Sequence, residues 1–248
     1  MNKYYLYKSD HNRLAVLSLQ PPEKPRYIMI ICHGFRGRKE NSGNLYGFAR
    51  QLNQIGIGVI AFDFTGNGES DGDFASLTLS RQIIDLKCVI DDTWNTFHIP
   101  LLLLGRSFGG TTILAGGNRD SRVAGYIFWS TPIHLHDTFA NSLADKYYML
   151  TKGQAVTIPV EEKEVKLNPD FIQDFDVHDM DYYLAGIKTK PVLIVHGLED
   201  EVVNFANAHY IKNKVENAEL FLVDNADHRF TDKQTQREDI TINWIKKL

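Results

Sequence analysis

The sequence predicts an α/β fold, a mainly parallel central sheet with helices on both faces, and two observations carry that prediction. Apolar strand-like segments alternate with segments of helical spacing through most of the chain, which is the pattern of a parallel sheet wound on both sides. Residues 101–104 are four consecutive leucines, tolerable in a strand only where both of its faces are covered. With 248 residues and 43% hydrophobic content there is apolar material for a substantial core, and residues 1–248 are read as a single domain.

Taken in order, residues 4–8 and 14–19 flank a polar turn and predict an antiparallel hairpin at one edge of the sheet. Residues 27–32 form a buried strand that runs into His33-Gly34-Phe35, and residues 42–55 have helical spacing in Leu45, Phe48, Ala49, Leu52 and Ile55. The next strand, 58–63, is followed by a glycine-rich turn and a helix over 78–93 that presents Ile83, Ile84, Leu86, Val89 and Ile90. After the leucine strand and its helix come a strand at 123–129, strands at 191–196 and 219–223 with a helix over 206–215 between them, and a closing helix over 235–245.

One region breaks the alternation. About 60 residues, 131–190, separate two strands, far more than the two to six of an ordinary connection, so they must carry structure of their own. A helix over 137–150, a short hairpin from 155–160 to 165–167 and a helix over 177–184 are expected. Because the segment follows the strand next to the leucine strand, it emerges at the same carboxyl edge and is expected to form a cap there.

The formal net charge of −4 is modest, so no nucleic-acid or anionic-membrane surface is expected. There is no uninterrupted apolar core for a signal peptide near Met1 and no membrane-spanning run, so a cytoplasmic location is the expectation. Cys32 and Cys88 read as buried free thiols. A homodimer is left open.

The chemistry centres on Gly105-Arg106-Ser107-Phe108-Gly109. Such a three-position pattern arises by chance about 0.1 times in a chain of this length, so its surroundings decide. An apolar strand before it and a small, helix-compatible run after it are what a serine on a sharp strand-to-helix turn requires. A serine hydroxyl needs a base, and a histidine needs an orienting carboxylate. Asp200 and His228 stand after two later strands, where a parallel sheet brings carboxyl ends to one edge. Glu199 is a rival carboxylate, and Asp200 could instead cap a turn. The Phe108 N–H, and the Phe35 N–H in the loop after residues 27–32, are the expected donors to an oxyanion.

Other motifs weigh less. His33 reads as a backbone organiser. His134 and His136 lack a third ligand, so no metal is expected. His11, His98, His178, His196 and His209 have no catalytic context. The glycines at 66, 68 and 72 fail the dinucleotide spacing and read as a structural turn; no cofactor is expected.

Together, His33-Gly34-Phe35, residues 62–74, the serine turn, His196 to Asp200 with Val202-Val203, and Ala226-Asp227-His228 resemble the α/β-hydrolase superfamily, and within it the small bacterial cinnamoyl (feruloyl) esterases. The resemblance implies an α/β-hydrolase fold, a Ser107-His228-Asp200 triad, Phe35 and Phe108 as oxyanion residues, and a cap that contacts an aromatic acyl group. Where that family commonly has His-Ser-Gln, this chain has Arg106-Ser107-Phe108, which implies a more apolar or differently shaped pocket. Arg36 and Arg106 leave two readings open, contact with an acidic substrate group and, more plainly, solvated surface. The expected activity is hydrolysis of small-molecule carboxylic esters by an acyl-enzyme route. A peptidase, acyl transferase or thioesterase is the alternative, and a non-catalytic ligand-binding relative is a further one.

Overall fold

In the computed structural model, which describes residues 1–40, 44–160 and 162–248, the hairpin strands β1 (Asn2–Tyr7) and β2 (Arg13–Leu19) form one edge of the main sheet. The sheet continues through β3 (Tyr27–Cys32), β4 (Ile57–Phe62), β5 (Leu101–Arg106), β6 (Val123–Trp129) and two later strands, β9 (Val192–Gly197) and β10 (Glu219–Val223). The spatial order is β1-β2-β4-β3-β5-β6-β9-β10, antiparallel at β1-β2 and β2-β4 and parallel elsewhere.

The leucines of β5 explain why it is central. All four are 0% exposed, yet they serve two different clusters. Leu101 and Leu103 pack with Leu86, Val89 and Ile90 of α2 (Leu79–Phe97) and Ile113 of α3 (Phe108–Gly116). Leu102 and Leu104 pack with Leu45 and Leu52 of α1 (Asn44–Gln54) and Ile245 of α9 (Gln234–Ile245). A period-2 strand apolar at every position has to be sandwiched. The helix α8 (Ala206–Lys214) adds Ala208 and Ile211 to the α2 and α3 side.

Helix ends follow local chemistry. Thr78 caps α2, its hydroxyl accepting from the Arg81 N–H, and the helix runs to Phe97, four residues past the expected end, where left-handed His98 stops it. The expected start of α1 at Ser42 lies outside the described residues. Cys32 is buried, whereas Cys88 is only half-buried; both are free thiols. No helix among the described residues is long and apolar enough to cross a membrane.

The insertion differs most from expectation. The helix expected over 137–150 is two, α4 (Leu135–Leu143) and α5 (Asp145–Thr151), broken at Ala144 with φ 49°. The hairpin is β7 (Val156–Val160) with β8 (Lys163–Leu167). A short helix α6 (Asp170–Gln173) and a 3₁₀ turn (Asp174–Val177) follow, unanticipated, and the last helix sits later, as α7 (Met180–Ile187). From α4 to the 3₁₀ turn the apolar side chains form their own cluster over Phe74 and Phe108, while Leu184 and Ile187 of α7 join the main core.

Candidate active site

Ser107 occupies the turn between β5 and α3 at φ 52° and ψ −129°, a backbone conformation that costs a non-glycine residue energy and is held by its surroundings. Its N–H donates to the Trp129 carbonyl at 2.8 Å, and its carbonyl accepts from Gly110 at 2.7 Å. The flanking glycines are steric necessities. A Cβ at Gly105 would lie 2.4 Å from the Gly109 oxygen, and one at Gly109 would lie 2.4 Å from the His33 oxygen. The strand, the helix and the loop after β3 therefore close on one another only without those side chains.

That loop carries Gly34 and Phe35. A Cβ on Gly34 would stand 3.1 Å from the Ser107 Cβ, so the loop abuts the serine. Two pins hold it. His33 is buried, and its Nε2 accepts the Phe64 N–H at 3.2 Å; Nδ1 must therefore carry the hydrogen that it donates to the Gly34 carbonyl at 2.9 Å. Burial lowers the His33 pKa and favours this neutral form. Lys39 is also buried, and its N–H and Nζ donate to Asp63 at 2.6 and 2.7 Å. Asp63 in turn accepts the Glu69 N–H, and Gly68 passes so close that a Cβ would meet the Asp63 carboxylate at 2.3 Å. The glycine turn after β4 is thus built around the carboxylate that anchors the Phe35 loop.

Asp200 and His228 meet. Both Asp200 oxygens lie 2.9 Å from His228 Nδ1, so that nitrogen is the donor and Nε2 is left with its lone pair. The Asp200 side chain is 0% exposed. It also accepts the Val202 and Val203 N–H groups at 3.0 and 2.7 Å, so the turn-capping role and the histidine-orienting position belong to the same residue. Burial works against its charge, but hydrogen bonds from His196, His228 and Val203 outweigh burial, and its pKa falls well below the ordinary carboxylate value. Glu199 instead accepts the Ala226 N–H, and Glu201 the His228 N–H.

His196, without catalytic context in the sequence, is the second histidine on Asp200. Its Nε2 lies 2.8 Å from the Val203 carbonyl and 3.3 Å from Asp200 Oδ2, so Nε2 carries the hydrogen. Four residues apart across the end of β9, the pair has no periodicity that could have announced it.

Ser107 stands at the same sheet edge as this pair. Among the described residues no hydrogen bond joins its Oγ to His228; Arg106 links the two segments, Nη2 donating to the His228 carbonyl at 3.4 Å. Such serine–histidine bonds are commonly long or poorly aligned until substrate is bound. Phe108 N–H belongs to the first turn of α3, where backbone donors have no intrahelical acceptor.

The rings around the site are packed. Phe35 stacks on Phe171 at 5.2 Å, and Phe139 lies 5.3 Å from both Phe35 and Phe108. Phe108 is fully buried, an apolar wall joining α3 to the insertion. On the other side stand arginines. Arg36 is exposed, as the solvated reading expects, but Arg106 is half-buried with its Nε out of reach of solvent, which corrects that reading for this residue. Burial first, then the charge of Arg229, lower the pKa of Arg106 against the pull of Asp200, Asp227 and Glu201. His136 lies away from the serine, bonded to Tyr147 and Asp176, and the His134 ring packs edge-on against Tyr210.

Residues 23–179 match the model of the family described as serine aminopeptidase, S33. A monoacylglycerol lipase of Mycolicibacterium smegmatis is 25% identical over 91% of this chain and 90% of its own length. The mitochondrial palmitoyl-protein thioesterase ABHD10 of Mus musculus is 26% identical over 72% of this chain, which spans 61% of that protein. In three dimensions the chain is similar to Est1E of Butyrivibrio proteoclasticus, solved with ferulic acid bound, with a TM-score of 0.78 over 98% of this chain and 99% of that one at 20% identity, a likeness of fold.

Proposed function

From the premise that this chain belongs to the serine aminopeptidase S33 family of hydrolases, we propose that it cleaves small-molecule carboxylic esters through an acyl-enzyme on Ser107. The observation that carries the reading is the buried Asp200 carboxylate at 2.9 Å from His228 Nδ1, at the sheet edge that also carries a serine held at positive φ. Ser107 Oγ attacks the ester carbonyl while His228 Nε2 takes its proton. Asp200 keeps Nδ1 as the donor and stabilises the imidazolium. The Phe35 and Phe108 N–H groups receive the oxyanion, the protonated histidine gives its proton to the leaving alcohol, and water then releases the acid by the same steps in reverse. These steps need no cofactor.

Ester cleavage is favoured over aminopeptidase action by the local charge. An aminopeptidase has to hold a substrate ammonium, whereas the charges gathered here are guanidiniums: after burial, the charge of Arg229 lowers the pKa of both Arg36 and Arg106. The phenyl rings of Phe35, Phe108 and Phe139 suit an aromatic or acyl-chain substituent, cinnamoyl-type esters among them. Fluorophosphonate labelling of Ser107, with an ester panel graded in acyl size and aromaticity, tests the reading. Absence of both labelling and turnover overturns it.

A further inference from the structure

The loop that carries Phe35 borders a small cavity of about 60 Å³, lined among others by Gly34, Phe35, Trp129, Arg106, Arg237 and Glu238. It lies on the α1 and α9 side of the sheet, the side to which Leu102 and Leu104 point and hence also the alternate residue Arg106. Three arginines line it, Arg38, Arg106 and Arg237, and the last two come from elements remote in sequence. Arg237, on α9, is 2% exposed, with its guanidinium 4.0 Å above the Trp129 ring and 5.1 Å from Phe230. Arg106 is the residue before Ser107. The Nε of each is buried without a hydrogen-bond partner, and among the described residues neither arginine forms an ion pair.

Among the described residues no carboxylate forms an ion pair with either arginine; Glu238 acts on Arg237, and Asp200, Asp227 and Glu201 on Arg106, only through longer-range attraction. Lys39 also lines the cavity, but its charge is matched by Asp63 and Glu69. Among the described residues of the lining Glu238 supplies the one carboxylate; it accepts from Gln234 at 2.8 Å, and burial pushes its pKa up against the opposing pull of Gln234 and Arg237. Burial, then the charge of Arg106, push the Arg237 pKa down to about 9, so it still carries its proton at neutral pH. A fold that buries the Nε of two arginines without a partner bears a desolvation cost that an incoming oxyanion relieves, and the planar fork of arginine suits carboxylate and phosphate alike.

We propose that this cavity is a subsite for a compact oxyanion, a carboxylate or phosphate group, held between Arg106 and Arg237 beside the nucleophile. Its catalytic use rests on the ester-hydrolase reading above; its binding does not. Since the cavity shares Gly34 and Phe35 with the oxyanion loop, the natural source of the anion is the substrate itself, as the free acid of a half-ester.

Binding is measured on Ser107→Ala protein by calorimetric titration with succinate and with inorganic phosphate. Saturable binding of at least one probe, weakened at least tenfold by Arg237→Met and less by Arg237→Lys, is expected. The melting temperature of unliganded Arg237→Met should equal or exceed that of its parent, because an unpaired buried charge is removed. No saturable binding, or binding unchanged by Arg237→Met and by Arg106→Met, overturns the subsite. A second arm compares monoethyl adipate with ethyl hexanoate as substrates of the wild-type protein. A kcat/KM ratio of ten or more for the half-ester, collapsing in Arg237→Met, identifies the anion as part of the substrate. A ratio near one alongside phosphate binding supports the site with a free anion as its occupant. Turnover of neither ester with succinate still bound overturns the hydrolase reading and upholds the site; equal turnover of both without anion binding does the reverse.

Discussion

Asp200 receives His228 Nδ1 at 2.9 Å on both carboxylate oxygens, and that contact decides which imidazole nitrogen can act as a base. An amide at this position presents one oxygen and one NH₂ group and can hold the wrong tautomer. Asp200→Asn is therefore expected to lower kcat on a neutral ester by about four orders of magnitude, while substrate binding changes little. The substituted side chain still offers a carbonyl to the Val202 and Val203 N–H groups, so the melting temperature should fall only slightly. Steady-state kinetics beside thermal melting separate the two effects; a tenfold loss or less removes Asp200 from the mechanism.

The same contacts set a pH dependence of stability. The folded-state pKa of Asp200 is depressed, chiefly by the histidine and backbone hydrogen bonds that outweigh its burial. A group depressed on folding contributes stability that is present above its unfolded value, about 4, and is lost as pH falls through the folded value. The urea midpoint of the wild-type protein should thus decline more steeply below pH 4 than that of Asp200→Asn. Parallel declines contradict the assignment.

What the sequence made legible was local or anchored to strand ends. The leucines of β5 and the glycines at 105 and 109 are read directly, because packing density and backbone approach leave few residue choices. Asp200 and His228 are legible because parallel topology carries strand ends to one edge. The break at Ala144 is not, since alanine is the best helix former and nothing local in the sequence asks for its positive φ. Nor is the convergence of Arg106 with Arg237, which the fold alone brings to one cavity. His196 reads as a strand residue until the chain turns back and places Asp200 at 3.3 Å.

Glycine positions give a paired test. At Gly109 an added Cβ meets the His33 and Cys32 carbonyl oxygens at 2.4 and 2.5 Å, and backbone cannot rotate away. Gly109→Ala should destabilise by about 1–3 kcal/mol and depress activity further by displacing the Phe35 loop. Gly47 lies in α1 with nothing within 4 Å of the added atom. There the same substitution should stabilise by about 0.5–1 kcal/mol through helix propensity. Chemical denaturation of both variants checks the sign of each.

Phe139 joins the insertion to Phe35 and Phe108 beside the candidate site. Its ring on α4 is 4% exposed and lies 4.8 Å from Phe171 and 5.3 Å from each of Phe35, Phe108 and Phe175. Truncation to alanine leaves a cavity among four phenyl rings and should cost about 3–5 kcal/mol if the site fails to collapse. The loss is not uniform, because the affected cluster covers the segment from α4 to the 3₁₀ turn while the eight-stranded sheet keeps its own clusters. Amide exchange should therefore quicken across residues 135–177 and stay slow in β3, β5 and β6. Phe139→Leu fills much of the space and should give a smaller change of the same pattern. Since Phe35 packs on Phe139, KM for aromatic acyl esters should rise in Phe139→Ala more than kcat falls. Exchange quickened equally in the central strands instead shows the insertion and the sheet to be one cooperative unit.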